Sequence, residues 1–488
     1  MQNEMDNLKK STFSGAIWKF MERVCAQVVS LVVSIVLARL LLPEDYSIVS
    51  IVAIFFAFCN IIISGGLNTA LIQKKDADKL DYATVLHVSV LLAAVLYIVM
   101  FFAAPFIASL YKTELLTPVI RVMSLTFFIN AVKSVLSAYV SGKMQFKKFF
   151  FSTIVGTVIS AFIGIIMAVN GFGAWALVAQ QMSNSLIDTV ILFITTKFRV
   201  LFIFSFKRLK SLFSYGWKIF VTSLITVVYD EINPLIVGLK FSGADLAYYN
   251  KGKSFPGLLN STISDTLAAV LFPAMSKVQD DKNAVLSITR RYIKVSSFVV
   301  FPLMAGFFAV ANNFIIVLLT DKWAMAAPYV QIFCASYMFN IIQVGNLQAI
   351  KAIGRSDISL ILEIIKKSIY FIVILAFVFL SGSPEMLAIS SIVCTLVATL
   401  VNTFPNRKLI GYKYRLQILD LLPNFIMSVI MCILVLLVGM INLHPVATLF
   451  IQVFVGAASY ILMSLITKNE NLIYLLNLAK TFLKRKEK

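Results

Sequence analysis

Charged side chains inside long apolar runs are the residues of this chain whose types and spacing could do chemistry. Each costs about 2.5–3.5 kcal/mol at the centre of a bilayer unless a partner or a wet cavity relieves it. Lys19, Arg23, Gln27, Ser30 and Ser34 follow one another at three- or four-residue intervals, as do Lys218, Thr222, Thr226, Asp230 and Asn233. That interval puts each set on one face of a helix. Two such stripes, each led by a cation, could line a wet cavity suited to an anionic group. The alternative is snorkelling, in which Lys19, Arg23 and Lys218 reach lipid phosphate at the membrane surface. Deeper in their runs lie Lys133, Asp188, Asp230, Glu231 and Asp265. Pairing with one another and direct contact with a bound molecule or ion are both open to them. Glu363, Lys366 and Lys367 form a local cluster at helical spacing that a purely structural role would explain.

Other chemistries lack their residues. The sequence holds no Walker P-loop, no HExxH and no GxSxG, so no catalytic residues, metal site or cofactor are expected. The cysteines Cys25, Cys59, Cys334, Cys394 and Cys432 are scattered through apolar runs with no CxxC pair, against a disulfide framework or a zinc site. His87 and His444 are too far apart to suggest a motif. With no nucleotide site, any vectorial process must run downhill or be coupled to H+ or Na+. An acid alternating between ionised and protonated forms would serve, and Asp188, Asp230, Glu231 and Asp265 are the candidates.

The elements that must position these residues follow from composition. Hydrophobic residues make up 60% of the 488 and charged ones 14%, against roughly 45–50% and about 25% in soluble domains; the mean hydropathy is +0.90. Apolar runs lie at 15–42, 46–73, 82–110, 118–141, 151–170, 173–196, 212–240, 252–275, 292–319, 326–350, 358–381, 385–403, 421–440 and 445–467. Runs of this length read as spanning helices, since only a helix satisfies its own backbone in lipid. The fold class expected is an all-α integral membrane protein with about fourteen transmembrane helices. No cleavable signal peptide is expected, because the first run is far longer than a signal's apolar core.

The formal net charge of +20 could suggest nucleic acid, but the basic residues fall between the runs, as the positive-inside rule requires. With the N-terminus in the cytoplasm, inside segments collect Lys74, Lys75, Lys79; Lys143, Lys147, Lys148; Lys277, Lys282, Arg290, Arg291; and the tail from Lys468 to Lys488. The outside ends hold only Arg39, Lys112, Arg121, Lys240, Lys251, Lys253 and Lys322. Both termini are therefore expected in the cytoplasm. The segment from Lys197 to Ser211 interleaves basic residues with Phe202, Phe204 and Phe206 and reads as an amphipathic linker on the anionic inner surface.

An internal repeat divides the runs. Trp18-Lys19 opens the first and Trp217-Lys218 the seventh; Glu44-Asp45-Tyr46 closes the first and Asp245-Leu246-Ala247-Tyr248 the seventh. Pro118 and Asn130 match Pro328 and Asn340 at one common offset. The organisation expected is a six-helix lobe at 1–196, a basic linker at 197–211, a second six-helix lobe at 212–403, two further helices within 404–467, and a basic tail at 468–488. Parallel repeats around a central site are a known transporter layout.

Several stretches together resemble one family. Ala38-Arg39-Leu40-Leu41-Leu42-Pro43-Glu44-Asp45-Tyr46 is similar to the signature that ends the first helix of polysaccharide-export flippases, with Ser47 in place of the usual Gly. Gly66 to Gln73, Asn233 to Gly238 followed by Tyr248-Tyr249, Leu271 to Ser276, Pro302 to Gly306 and Lys322-Trp323 resemble further motifs in the same order. The resemblance spans roughly residues 10–410 and is to the Wzx-type branch of the multidrug/oligosaccharidyl-lipid/polysaccharide superfamily, near its lipopolysaccharide, colanic-acid and teichuronic-acid exporters. The family often has Asp where this chain has Asn233, so Asp230 or Glu231 would have to take any ionisable role there.

This resemblance implies a protein of the bacterial cytoplasmic membrane that is not an enzyme. It implies a cargo of undecaprenyl-diphosphate-linked oligosaccharide, flipped by alternating access for exopolysaccharide, capsule or O-antigen assembly. A monomer is the expected unit, among membrane lipids, with a polysaccharide polymerase and chain-length proteins as conceivable partners and no nucleic acid. Lys19, Arg23, Arg39, Lys133 and Lys218 are the expected substrate-binding cations, since a diphosphate calls for Lys or Arg. A cation-coupled multidrug exporter of the same superfamily is the alternative. A membrane-bound glycosyltransferase or polymerase is the reading from another class, and it would need a sizeable outer loop that this chain lacks.

Overall fold

Glycine, proline and paired turns divide the apolar runs into helices. The structure, a computed structural model, describes residues 2–477 except 75, 381 and 442; at 2–17, 20, 265–267, 269, 270 and 273 it describes the backbone alone. The first half of the chain carries α1 (Gln2–Leu40), α2 (Pro43–Ser64), α3 (Leu67–Gln73), α4 (Lys79–Leu110), α5 (Leu116–Met123), α6 (Thr126–Gly142), α7 (Phe146–Val169), α8 (Ala174–Thr196) and α9 (Phe206–Lys240). The second carries α10 (Gly243–Ser276), α11 (Lys282–Leu319), a 3-10 turn (Asp321–Ala326), α12 (Ala327–Met338), α13 (Asn340–Ala352), α14 (Ser356–Leu380), α15 (Pro384–Thr403), α16 (Asn406–Leu409), α17 (Tyr414–Gly439) and α18 (Pro445–Ile466).

Among the described residues, twelve helices are long and apolar enough to cross a membrane. They coincide with twelve of the fourteen expected spans. The other two expected spans fall on α10 and α14, which are helical throughout; α10 carries Lys253 and Asp265 within its expected span, and α14 carries Glu363, Lys366 and Lys367.

Three runs that read as single spans are broken. The second breaks at Gly65 and Gly66, whose φ of 53° and 68° belong to the left-handed region that glycine adopts without strain. The fourth breaks between α5 and α6 at Ser124-Leu125, and the tenth between α12 and α13 at Phe339. The last two breaks stand just before Asn130 and Asn340, the residues the repeat pairs.

The repeat also recurs in local geometry. Leu42 N–H donates to Asp45 Oδ2 at 3.0 Å at the start of α2, and Ser242 N–H donates to Asp245 Oδ2 at 3.0 Å at the start of α10. A carboxylate at the third position of each helix thus satisfies an amide that has no partner within the helix.

The chain forms two compact units, Met1–Ala247 and Tyr248–Lys488. In the first, α7 turns a stripe of small residues, Ser152, Gly156, Ser160 and Gly164, onto α8. A Cβ on Gly164 would lie 2.7 Å from Gln180 Cβ, so only glycine lets these backbones come so close. α9 belongs to the same unit, and a Cβ on Gly66 would collide with the Gly216 carbonyl oxygen. In the second unit, Phe298, Met427, Met431 and Tyr460 of α11, α17 and α18 form one core cluster. Large side chains such as Phe102, Phe379 and Phe454 are 75%, 84% and 74% exposed. Exposure of that kind is costly in water and neutral against lipid tails.

Residues 197–205 are non-helical, and helix resumes at Phe206. The expected linker is therefore extended over its first part and already α9 over its last. Phe198 turns inward onto Tyr82 and Tyr139, while Phe202 is 90% and Phe206 71% exposed.

Candidate functional site: a polar interior in the first unit

On α6, Asn130 and Lys133 stand three residues apart and share a face; on α8, Ser185 and Asp188 do the same. The two faces meet at two levels. Ser185 Oγ donates to Asn130 Oδ1 at 2.8 Å, and Asn130 Nδ2 donates to Asn60 Oδ1 of α2 at 3.0 Å. Lys133 Nζ lies 2.7 Å from Asp188 Oδ2.

Asp188 is only 6% exposed and sits against Gly156 of α7, where a Cβ would come within 3.2 Å of its own Cβ. Its Oδ2 faces the ammonium, while Oδ1 is buried and accepts no hydrogen bond among the described residues. The Lys133 side chain is 36% exposed, so the pair is open on the lysine's side and closed on the aspartate's. Beside it a cavity of about 280 Å³ is lined by Asn60, Thr126, Asn130, Gln181 and Ser185. The arrangement offers a partly exposed cation, an acid with a spare oxygen, and amides that can bond either donors or acceptors.

The other expected site residues lie elsewhere. Lys19 is bonded to Glu22 at 2.7 Å and lies over the Phe149 ring at 4.8 Å; Thr153 Oγ1 also donates to Glu22, at 3.3 Å. The sequence reading omitted Glu22, which offsets the charge of Lys19 on the first stripe. Arg23, Arg39, Lys218 and Asp230 are exposed, and Glu231 is half-buried. α1 packs on α7, with Trp18 against Phe150 at 5.3 Å, whereas α9 packs on α2, α3 and α4. The side chain of Asp265 lies outside the described residues. In α14, Lys366 pairs with Glu363 at 2.6 Å, as the local spacing allowed.

Two charge clusters escaped the sequence reading, which had counted their basic members only toward topology. At the start of α4, Asp81 is fully buried and bonded to Lys74 at 2.6 Å, while Arg208 of α9 reaches Asp78 at 3.1 Å and Asp81 at 3.8 Å. The hydrogen bond from the Asp81 backbone amide, helped by the Asp81 side chain and by Arg208 and Lys74, holds the Asp78 carboxyl below the usual range. The signal for this cluster was Asp78-Lys79-Leu80-Asp81, spaced as a reciprocal cap: the Asp81 amide donates to Asp78 Oδ1 and the Asp78 amide to Asp81 Oδ2. In the second unit, Arg290 grips Asp420 through Nε and Nη2, both at 2.8 Å, and the Tyr412 hydroxyl donates to the same carboxylate at 2.9 Å. Burial, reinforced by Asp420, pushes the Tyr412 phenol well above its ordinary value.

The second unit repeats one level of the first unit's polar interior. Asn340 Nδ2 donates to Asn260 Oδ1 at 3.1 Å, matching Asn130 and Asn60. No lysine–aspartate pair accompanies this second asparagine bond among the described residues.

Helices of membrane length, with polar side chains gathered inside and apolar ones turned outward, define a multi-pass α-helical membrane protein with a repeated interior. Within that class, residues 36–328 match the family described as "Polysaccharide biosynthesis protein", and the chain belongs to it. It is 22% identical to the lipopolysaccharide biosynthesis protein WzxC of Escherichia coli (strain K12), over 86% of each chain. It is 22% identical to the teichuronic acid biosynthesis protein TuaB of Bacillus subtilis (strain 168), over 73% of this chain and 74% of the relative. Its fold is similar to that of the lipid II flippase MurJ in an inward closed conformation: TM-score 0.73, 16% identity, 94% of this chain and all of the other covered.

Proposed function

We propose that the protein flips an undecaprenyl-diphosphate-linked oligosaccharide repeat unit from the inner to the outer leaflet of the bacterial cytoplasmic membrane. It does so by alternating access, for exopolysaccharide, capsule or O-antigen assembly. The family supports this reading, as do relatives named for polysaccharide biosynthesis and a fold similar to that of a lipid II flippase. The observation that carries it at the level of residues is the Lys133–Asp188 pair inside the apolar first unit. With Asp188 ionised, the ammonium is held. When Asp188 takes up a proton or a Na+ ion, Lys133 is released to meet a diphosphate oxygen, and cargo and coupling ion are linked through one bond. Arg23 and Lys218, exposed partway along α1 and α9, and Arg39, exposed at the end of α1, add cations along the path. Both termini are cytoplasmic, and the polymerase and chain-length proteins receive the product.

The test is a proteoliposome assay with a fluorescent undecaprenyl-diphosphate-linked oligosaccharide and a membrane-impermeant quencher. Transfer faster than in protein-free vesicles, driven by an imposed pH or Na+ gradient and abolished by Asp188→Asn, supports the proposal. Uptake of organic cations with no lipid transfer would sink it and favour the drug-exporter reading.

A further inference from the structure

The basic end of α11 builds a cleft in the second unit. α11 has 38 residues, about 57 Å at 1.5 Å per residue, whereas a hydrocarbon core is about 30 Å thick. Part of this helix therefore stands in or beyond the headgroup layer, and its first turns carry Arg290, Arg291 and Lys294. Two adjoining cavities open there, of about 320 and 480 Å³, with Lys294, Glu470 and Asn471 lining both.

The cleft is a built one. Asn424 Nδ2 donates to the Lys294 carbonyl at 3.0 Å and to Ser297 Oγ at 2.8 Å, and Asn469 Nδ2 donates to Asn424 Oδ1 at 3.3 Å. These bonds fasten α17 and the segment after α18 to α11. The Arg291 guanidinium stacks 4.7 Å from the Tyr474 ring, which holds it at the mouth. Asp420 is shared by Arg290, at 2.8 Å, and Lys294, whose Nζ lies 3.4 Å from Oδ1. Counting Asp420 and Glu470 against Arg290, Arg291, Lys294 and Lys468, the lining keeps two positive charges in surplus.

The second cavity continues from this polar mouth along Leu419, Pro423, Ile426 and Met427. Leu419, Leu422 and Ile426 on the same helix are 54%, 42% and 47% exposed. A cationic mouth at headgroup depth, running into an apolar wall that faces the bilayer, matches a molecule with a phosphate at one end and an acyl chain at the other.

We infer that this cleft binds an acidic glycerophospholipid of the surrounding leaflet. Its phosphate rests on Arg291 and Lys294, and one acyl chain lies along α17. The site is separate from the Lys133–Asp188 interior, and its occupancy does not depend on the cargo assignment.

The experiment uses the full-length protein, purified and reconstituted in nanodiscs of phosphatidylcholine doped with phosphatidylglycerol, with retained lipid read by native mass spectrometry. Phosphatidylglycerol should be retained over phosphatidylcholine. R291Q and K294Q should each weaken that preference about fivefold and the double variant about twenty-five-fold, while K112Q, a basic residue outside the cleft, should not. Because Arg290 supports the buried Asp420, it is left intact so that folding is preserved. Equal retention of the two lipids, or an unchanged preference in the double variant, would overturn the inference. Competition by inorganic phosphate at equal concentration would overturn the lipid assignment in favour of a soluble anion. Displacement of phosphatidylglycerol by an equimolar amount of undecaprenyl phosphate would overturn it in favour of the cargo lipid. Loss of flipping with retention intact would count against the proposed function alone.

Discussion

Lys133 Nζ lies 2.7 Å from Asp188 Oδ2 inside the first unit, and each residue shares a helix face with one end of a neighbouring hydrogen bond, Asn130 on α6 and Ser185 on α8. Two charges on separate helices thus neutralise each other at one level, and neutral polar groups meet at the next. Removing one partner of a buried pair leaves the other uncompensated, which costs about 3–5 kcal/mol when both are dry. The exposed side of Lys133 reduces that cost for the lysine, so Lys133 should be the more easily left alone.

The first prediction separates structure from function at this pair. Lys133→Ala should lower the amount of protein in the membrane more than Asp188→Ala does, because it strands a buried carboxylate. The double variant Lys133→Met/Asp188→Leu should recover near-normal levels on a blot. In complementation of a flippase-deleted strain, the same double variant should make no polymer. Full polymer from the double variant would reduce the pair to a structural tie.

A second prediction concerns Gly66 and Gly216, whose backbones touch where α3 meets α9. Gly66 has a φ of 68° as well, so Gly66→Ala meets both strain and a backbone clash. Overpacking of this kind costs about 1–3 kcal/mol. The variant should show a lower unfolding temperature in detergent, and Gly216→Ala should behave alike. Gly171→Ala, with a positive φ but open space around it, should cost less than Gly66→Ala.

Acid should loosen the contact of the Asp78 carboxylate with the Asp81 amide, which Arg208 reinforces, and the sign follows from the direction of the shift. Asp78 is held below the usual carboxylate range in the folded protein. Its contribution is therefore present above the unfolded value of about 3.9 and is lost as pH falls through the lower folded value. Unfolding temperature followed from pH 6 downward should fall less steeply in Asp78→Asn than in wild type. Identical slopes would mean that the contact contributes nothing to stability.

Orientation is open to a direct check. A cysteine replacing Lys112 should react with an impermeant maleimide from outside intact cells, and one replacing Lys147 should react only after lysis. Outside labelling at position 147 would invert the proposed topology.

Composition and periodicity were enough to read an all-helical membrane protein from the chain. A helix in lipid must satisfy its own backbone, so long apolar runs leave no other structure open. The repeat was legible for the same reason that its matched residues do the same jobs: Asp45 and Asp245 cap helices, and Asn130 and Asn340 each bond an asparagine on another helix. Partner choice was not legible. Nothing in the one-dimensional order says that Lys133 meets Asp188 and not Asp230 or Glu231, because that depends on how α6 and α8 are rotated against the small-residue face of α7. Arg208 and Arg290, two among many basic residues between runs, acquired specific carboxylates only when folding set α9 beside the start of α4 and α11 beside α17. Charges attract across space, and their sequence separation carries no information about that distance.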